Sequence, residues 1–237
     1  GLEPVQELLG SLSAALGELR DLRVIARTGE RALGAFLVFS STSPLAPSPV
    51  TMPATFRTAG LTVDIEQAMS EEISRVKLKN GEAIPPLTDV IKVVSGKAGL
   101  NLEIKSDGAG LAAAEYLASS DYTGYVLISS FLEAEVLSVR RMLPQTPTSL
   151  IFDVFTVHDV PAYAGKGYPI VSLRKNTVSG RLVDACHEQG IEVYVWTVDE
   201  EEEMRRFIAW GADGIYTNKP GVLKGIVRNA ELGTRKE

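Results

Sequence analysis

Apolar positions in this chain change period several times, and each change predicts an element. Val5, Leu8, Leu9, Leu12, Leu16 and Leu19 recur at steps of three and four, one apolar stripe of a helix, with Pro4 in its first turn. Two short apolar runs follow, Leu22–Ala26 and Ala35–Phe39, around the turn-like Arg27-Thr28-Gly29-Glu30. A connection this short favours an antiparallel hairpin, because a parallel crossover needs about a dozen residues. From residue 81 the pattern is regular. Leu87, Val90, Ile91 and Val94 predict a helix, Leu100–Lys105 a strand, Gly110–Ala118 a helix, Tyr125–Ser129 a strand and Leu132–Met142 a helix. Ser149–Val154 and Pro169–Leu173 read as strands joined by a loop, and Val178–Gln189 as a helix closed by Gly190. Ile191–Thr197 is a strand; Asp199 then reads as the cap of a helix with Glu200–Glu203 in its first turn and Gly211 at its end. Gly214–Thr217 and Pro220–Asn229 complete the series as strand and helix.

Strands alternating with helices imply a parallel sheet. Six strands here, with the candidates near residues 22 and 35, fit a (β/α)8 TIM-type barrel with an altered or incomplete first βα unit. The 237 residues suit one such domain. An open doubly wound sheet is the rival, but no strand–helix turn carries a Gly-rich dinucleotide fingerprint. Residues 40–60, SSTSPLAPSPVTMPATFRTAG, break the pattern with four prolines among Ser and Thr. Proline denies ladder hydrogen bonds, so this stretch reads as irregular, either a linker or a long excursion from the barrel.

Composition narrows the function. Lys+Arg number 24 against Asp+Glu 30, a formal charge of −6, which argues against nucleic acid and anionic membrane as partners. No apolar run approaches the ~18 residues of a membrane span, and the first twenty residues lack a basic leader. The single cysteine, Cys186, excludes an intrachain disulfide and fits a reducing compartment. A soluble cytoplasmic protein is the expectation; an oligomer is left open.

In a barrel, chemistry gathers where strands end. Alternation puts Asn101, Glu103 and Lys105 on one strand face, opposite Leu102 and Ile104. Buried, a carboxylate and an ammonium two residues apart must be paired or hold a metal or phosphate; on an edge strand they are merely solvated. Ser129 and Ser130 read as strand-end hydroxyls that cap a helix, followed by Phe131. Asp153 is either a mouth group or a cap, and Trp196 either core or a ligand platform. Asn218 and Lys219 precede a helix whose N–H groups can cap simply or bind an anion. Of the two histidines, His158 lies in a loop after a strand and is a candidate general base, whereas His187 reads as a surface or packing residue. No spacing matches a zinc site or a Ser/His/Asp set.

Several of these segments together resemble glycerophosphodiester phosphodiesterases. They are Gly81-Glu82-Ala83-Ile84-Pro85-Pro86-Leu87-Thr88-Asp89-Val90, Leu100–Lys105, Ile128-Ser129-Ser130-Phe131, Val193–Asp199 and Gly211–Pro220. The resemblance covers about residues 57–228. It implies a barrel enzyme of lipid metabolism, a phosphoric diester hydrolase that uses a divalent cation and two histidines as acid and base. The family opens with a strand ending His-Arg-Gly, then Pro-Glu-Asn-Thr, a Glu-x-Asp strand and an excursion with His-Asp. This chain departs there. In one alignment Glu3-Pro4-Val5 matches the second motif, Leu22-Arg23-Val24 replaces Glu-x-Asp and Ser40-Ser41 replaces His-Asp. In another, Ile25–Gly29 matches the opening strand, Phe39-Ser40-Ser41 replaces Glu-x-Asp and Pro53 stands for the second histidine. Both omit the two histidines and two of three metal carboxylates.

Glu103 alone carries over as a metal ligand, Lys105 as the phosphate-side cation and Trp196 as a wall for glycerol; Phe131 and Asn218 complete the substrate-side candidates. One carboxylate is a poor seat for Mg²⁺ or Ca²⁺. Losing a positioned acid or base removes ~10²–10⁴-fold each. The expectation is therefore a divergent, pseudoenzyme-like family member that binds a small phosphate-containing molecule, with no cofactor, and with hydrolysis lost or much weakened. The alternative is an active hydrolase with relocated groups, drawing on His158, Asp153 and Glu103 and needing Mg²⁺ or Ca²⁺. A third reading is another phosphate-handling barrel enzyme built on Lys219.

Overall fold

The computed structural model describes residues 24–27, 36–41, 87–94 and 99–234. The helix expected over Val5–Leu19, the motif positions Glu3, Pro4, Leu22, Arg23 and Pro53, and residues 42–60 of the excursion lie outside the described residues. The chain divides into two compact units, Gly1–Leu22 with Phe39–Thr146, and Arg23–Val38 with Pro147–Glu237.

The first unit holds α1 (Leu87–Val94), β3 (Gly99–Ile104), α2 (Ala109–Ser119), β4 (Val126–Ser130) and α3 (Glu133–Met142). Val90 and Ile91 of α1 are buried, as their spacing predicts. β3 and β4 run parallel, in register from Leu100↔Val126 to Ile104↔Ser130. Leu100, Leu102, Ile104 and Ile128 are fully buried and form the apolar side of this pair. α2 packs against α3. It does so on small side chains, Ala113 and Ala114, both buried. At Gly110 the approach is closer still, since a Cβ there would lie 2.6 Å from the backbone oxygen of Glu135. α3 carries Glu133 and Glu135 in its first turn and Arg140 and Arg141 in its last, each favourable to the helix dipole.

The second unit holds β1 (Val24–Arg27), β5 (Thr148–Phe152), α4 (Val160–Gly165), β6 (Ile170–Arg174), α5 (Gly180–Glu188), β7 (Glu192–Trp196), α6 (Glu201–Ala209), β8 (Gly214–Thr217) and α7 (Pro220–Thr234). β5, β6, β7 and β8 are parallel neighbours in sequence order. β1 runs antiparallel to β8 and, through Val24↔Leu37 and Ile25↔Phe36, antiparallel to β2 (Phe36–Ser41). The short connection thus yields the expected hairpin, and the first strand pair departs from the parallel βα repeat. Leu150, Val171, Leu173, Val193, Val195 and Ile215 supply one buried sheet face. On the other face, buried hydroxyls satisfy one another: Ser149 Oγ lies 2.8 Å from Ser172 Oγ, which lies 3.2 Å from Tyr216 Oη. Gly190 and Gly211 take φ of 70° and 84° just past α5 and α6, the left-handed closures their positions predict.

Two expectations need correction. The stretch between Val154 and Pro169 is not a plain loop; it forms a 3₁₀ turn, Val157–Asp159, and then α4. Tyr163 anchors this short helix: its hydroxyl donates to the Ile170 carbonyl and accepts from the Leu150 amide, and its ring meets Phe152 and Phe155. That anchoring is tertiary, so no local period announces it. Asp199 does not cap α6 either. Glu200 holds the N-cap position, and the Asp199 carboxylate instead accepts three hydrogen bonds from Thr217 and Asn218.

Candidate functional site

In the first unit the site begins at the end of β3. Alternation along the strand sets Asn101 and Glu103 on the face opposite Leu102 and Ile104, and both are buried rather than on a solvated edge. The Lys105 ammonium lies 3.6 Å from Glu103 Oε1, so the carboxylate and the cation form one pair. The register Glu103↔Ser129 brings Ser129 beside Glu103, while Ser130 falls on the other face and donates to the Ile104 carbonyl at 2.7 Å. Ser130 Oγ also accepts from the Leu132 amide, a local turn rather than a helix cap. Asn101 and Ser129 are buried, and among the described residues their side-chain polar atoms meet no hydrogen-bonding group. Such groups are costly unless water or a ligand satisfies them, a feature their sequence context does not announce. Phe131 follows β4 with its ring half exposed.

The loop that carries Lys105 is held by a residue the sequence does not single out. The Glu135 carboxylate accepts from the amides of Gly108 at 2.9 Å and Gly110 at 2.7 Å. These are the open amides at the start of α2, which has no side-chain cap of its own. An acidic residue on α3 therefore caps a neighbouring helix across 25 residues of sequence.

In the second unit, strand ends present Asp153, Arg174, Trp196 and Asn218. Asp153 is exposed and paired with Arg174 at 3.1 Å, and Arg174 is the register partner of Trp196. Lys175 and Glu203 pair at 2.6 Å, and Lys219 lies 3.4 Å from Glu200. Before α7, where the sequence left a simple cap and an anion seat open, the backbone amides of Asn218 and Lys219 are engaged within the chain. The Asn218 amide donates to Asp199 Oδ1 at 2.7 Å, the Asn218 Nδ2 to Oδ2 at 2.8 Å, and the Lys219 amide to Thr217 Oγ1 at 3.0 Å. Burial pushes the Asp199 carboxyl up, but the hydrogen bonds from Asn218 and Thr217, with the Lys219 charge, hold it below the ordinary aspartate range.

The histidines have separate fates. His187 Nε2 lies 2.8 Å from Asp213 Oδ2, which also accepts from the Val193 amide, so this histidine ties the end of α5 to the strands. His158 is exposed in the 3₁₀ turn, beside Asp159, whose carboxylate is bonded to Thr156. Cys186 is buried, and desolvation, helped by the Asp213 charge, raises its thiol to about 11.

A divalent cation needs several oxygen ligands at one place. Glu103 sits with a lysine, and no group of three or more His, Cys, Asp or Glu lies together among the described residues. The described donor set does not fit Mg²⁺ or Ca²⁺. No helix among the described residues is long and apolar enough to cross a membrane.

The sequence matches the glycerophosphoryl diester phosphodiesterase family over residues 51–222. It is 31% identical over 155 residues to a glycerophosphodiester phosphodiesterase of Caldanaerobacter subterraneus subsp. tengcongensis, covering 62% of this chain and 63% of that protein. The chain spans less than two thirds of that relative's length, and 62% of a related Bacillus subtilis protein's. A solved Oleispira antarctica phosphodiesterase, in complex with the product sn-glycerol-3-phosphate, superposes with a TM-score of 0.67 at 18% identity over 73% of this chain and 75% of its own. A glycerophosphodiester phosphodiesterase from Parabacteroides distasonis gives 0.60 at 20% identity over 71% of this chain and 74% of its own. At these identities the likeness shows fold, the (β/α)8 TIM-type class predicted by the strand–helix alternation.

Proposed function

Because this chain belongs to the glycerophosphoryl diester phosphodiesterase family, we propose that it is a divergent member that binds a small phosphate-containing molecule, with glycerol phosphate as its type, and whose phosphodiester hydrolysis is lost or much weakened. The observation that carries this reading is the Glu103–Lys105 pair. It leaves a cation at a strand end for a phosphate, and the family carboxylate beside it is engaged with that lysine.

The 237 residues hold two histidines. The ring of His187 is engaged with Asp213, and His158 is exposed on a turn. Neither therefore supports the paired acid and base that the family reaction uses. Asp153 is exposed and hydrogen-bonded to Arg174, which weakens its claim as a relocated base. The backbone amides of Asn218 and Lys219 are engaged within the chain, which weakens the reading of a phosphate enzyme built there. The relative complexed with sn-glycerol-3-phosphate supports this choice of ligand. In this reading no divalent cation takes part. The buried thiol of Cys186 and the acidic balance are consistent with a cytoplasmic protein that does not bind nucleic acid.

The test is turnover of glycerophosphocholine and glycerophosphoethanolamine by the purified chain, with and without Mg²⁺ or Ca²⁺, alongside His158→Ala. Release of the alcohol no faster than a matched blank is expected. Turnover in the wild type that disappears in His158→Ala would show that the acid/base role moved rather than vanished.

A further inference from the structure

An aspartate followed by glycine is open to a reaction of the backbone with its own side chain. The glycine nitrogen, unhindered by a side chain on its own residue, attacks the aspartate Cγ. Its proton passes to solvent, the new N–Cγ bond closes a succinimide ring, and a carboxyl oxygen leaves as water. Water then adds to the former backbone carbonyl and cleaves its bond to nitrogen. The main chain now runs through the aspartate Cβ and Cγ as isoaspartate, one methylene longer and unchanged in mass. Two such pairs occur in this chain, Asp107-Gly108 and Asp213-Gly214.

Their surroundings differ. The Asp213 carboxylate is held by the His187 ring and the Val193 amide, and Gly214 is buried in β8. Asp107 and Gly108 are both exposed, on the loop between β3 and α2. Gly108 takes a φ of 78°, which keeps a glycine at this place. What opposes the reaction there is Glu135. Its buried carboxylate accepts the Gly108 amide on Oε1 at 2.9 Å and the Gly110 amide on Oε2 at 2.7 Å, so it is gripped at both oxygens and the Gly108 peptide plane is fixed. Attack on Asp107 needs that plane to turn and the nitrogen to lose its proton. The first breaks a charge-assisted hydrogen bond, and the adjacent negative charge opposes the second.

We propose that Asp107-Gly108 is an isoaspartate-forming modification site, two residues past Lys105, and that Glu135 sets its rate by holding the Gly108 amide. Conversion lengthens the loop that joins Lys105 to α2. The proposal does not depend on what Lys105 binds.

The test is incubation of the full chain at neutral pH and physiological temperature, with isoaspartate located by peptide mapping and fragmentation that distinguishes residue 107 from the other aspartates. Asn80-Gly81, outside the described residues, is told apart because its deamidation changes the mass. A synthetic peptide of residues 103–112 gives the unguarded rate. The wild type should convert Asp107 at least about tenfold more slowly than the peptide, and Asp213 more slowly still. Glu135→Ala should speed conversion at Asp107 by at least about fivefold, the worth of one charge-assisted hydrogen bond. Glu135→Gln, equal in size but uncharged, takes its place in this comparison if the alanine variant does not fold. Val139→Ala, a buried change on α3 that leaves Glu135 in place, separates guarding from general loosening and should leave the rate unchanged. A wild type that converts at the peptide's rate overturns the proposal. So does a Glu135 variant no faster than wild type, a Val139→Ala rate as high as that of the Glu135 variant, or conversion at Asp213 that matches Asp107.

Discussion

The Glu135 carboxylate holds the Gly110 amide at 2.7 Å while the Glu135 backbone oxygen closes the space where a Cβ on Gly110 would stand. The two residues thus fit each other twice, once by hydrogen bond and once by shape. Glu135 also holds Gly108, so the start of α2 and the loop after Lys105 depend on it. Glu135→Ala strips a buried charged acceptor from two amides and should lower stability by roughly 2–4 kcal/mol, read as a shifted midpoint in urea unfolding. Gly110→Ala should cost about 1–3 kcal/mol through the forced contact. A midpoint unmoved in either variant would contradict this packing.

Among the described residues, the Asp213 carboxylate has two hydrogen-bond partners where the His187 ring has one. The Asp213 carboxylate serves both the His187 ring and the Val193 amide. His187 and Asp213 are partly exposed, so His187→Ala should cost no more than about 1 kcal/mol. Asp213→Ala also strands the Val193 amide and should cost more, about 1–3 kcal/mol. Thermal unfolding of the two variants side by side checks the order; the reverse order would mean that the histidine contact dominates.

Most of the fold is legible in the sequence because its elements announce themselves locally. Leu100, Leu102 and Ile104 alternate with polar residues and form β3; Gly190 sits one turn past an apolar stripe and closes α5. The hairpin of β1 and β2 followed from its short connection. What stayed hidden depends on partners far along the chain. Glu135 looks like any acid in a helix first turn, yet its partners lie 25 and 27 residues away. Asp199 precedes Glu200–Glu203 and reads as a cap, but three donors from Thr217 and Asn218, 18 and 19 residues on, outweigh a single helix amide. In the site, Glu103 and Lys105 were legible as a pair by alternation, whereas the pairing of Asp153 with Arg174 crosses between strands and leaves no spacing to find.

Cys186 should be chemically silent in the folded protein. Its side chain is buried and its thiol is raised to about 11, so little thiolate exists at neutral pH. Alkylation by iodoacetamide at pH 7 should be at least about a hundredfold slower in the native state than in denaturant. Comparable rates would mean that α5 opens readily.

The Asp199 contacts should respond to acid in one direction. The folded carboxyl lies below its unfolded value, so the unfolded chain binds the proton more readily. The stabilisation is complete above the ordinary aspartate range and is lost as pH falls through the folded value. In an acid titration followed by NMR, the Asn218 backbone and side-chain amide signals should hold steady from neutral pH until below that range, then move together. Movement near neutrality would contradict the bonded carboxylate.

The most direct test of the central claim is calorimetric titration of glycerol 3-phosphate into the wild type and Lys105→Ala, in buffer without divalent metal. The account predicts saturable one-to-one binding by the wild type, weakened at least about tenfold in Lys105→Ala as a charge-assisted phosphate contact is lost. No heat with the wild type, or equal affinity in the two proteins, would contradict the claim that this chain keeps the phosphate end of its family's site.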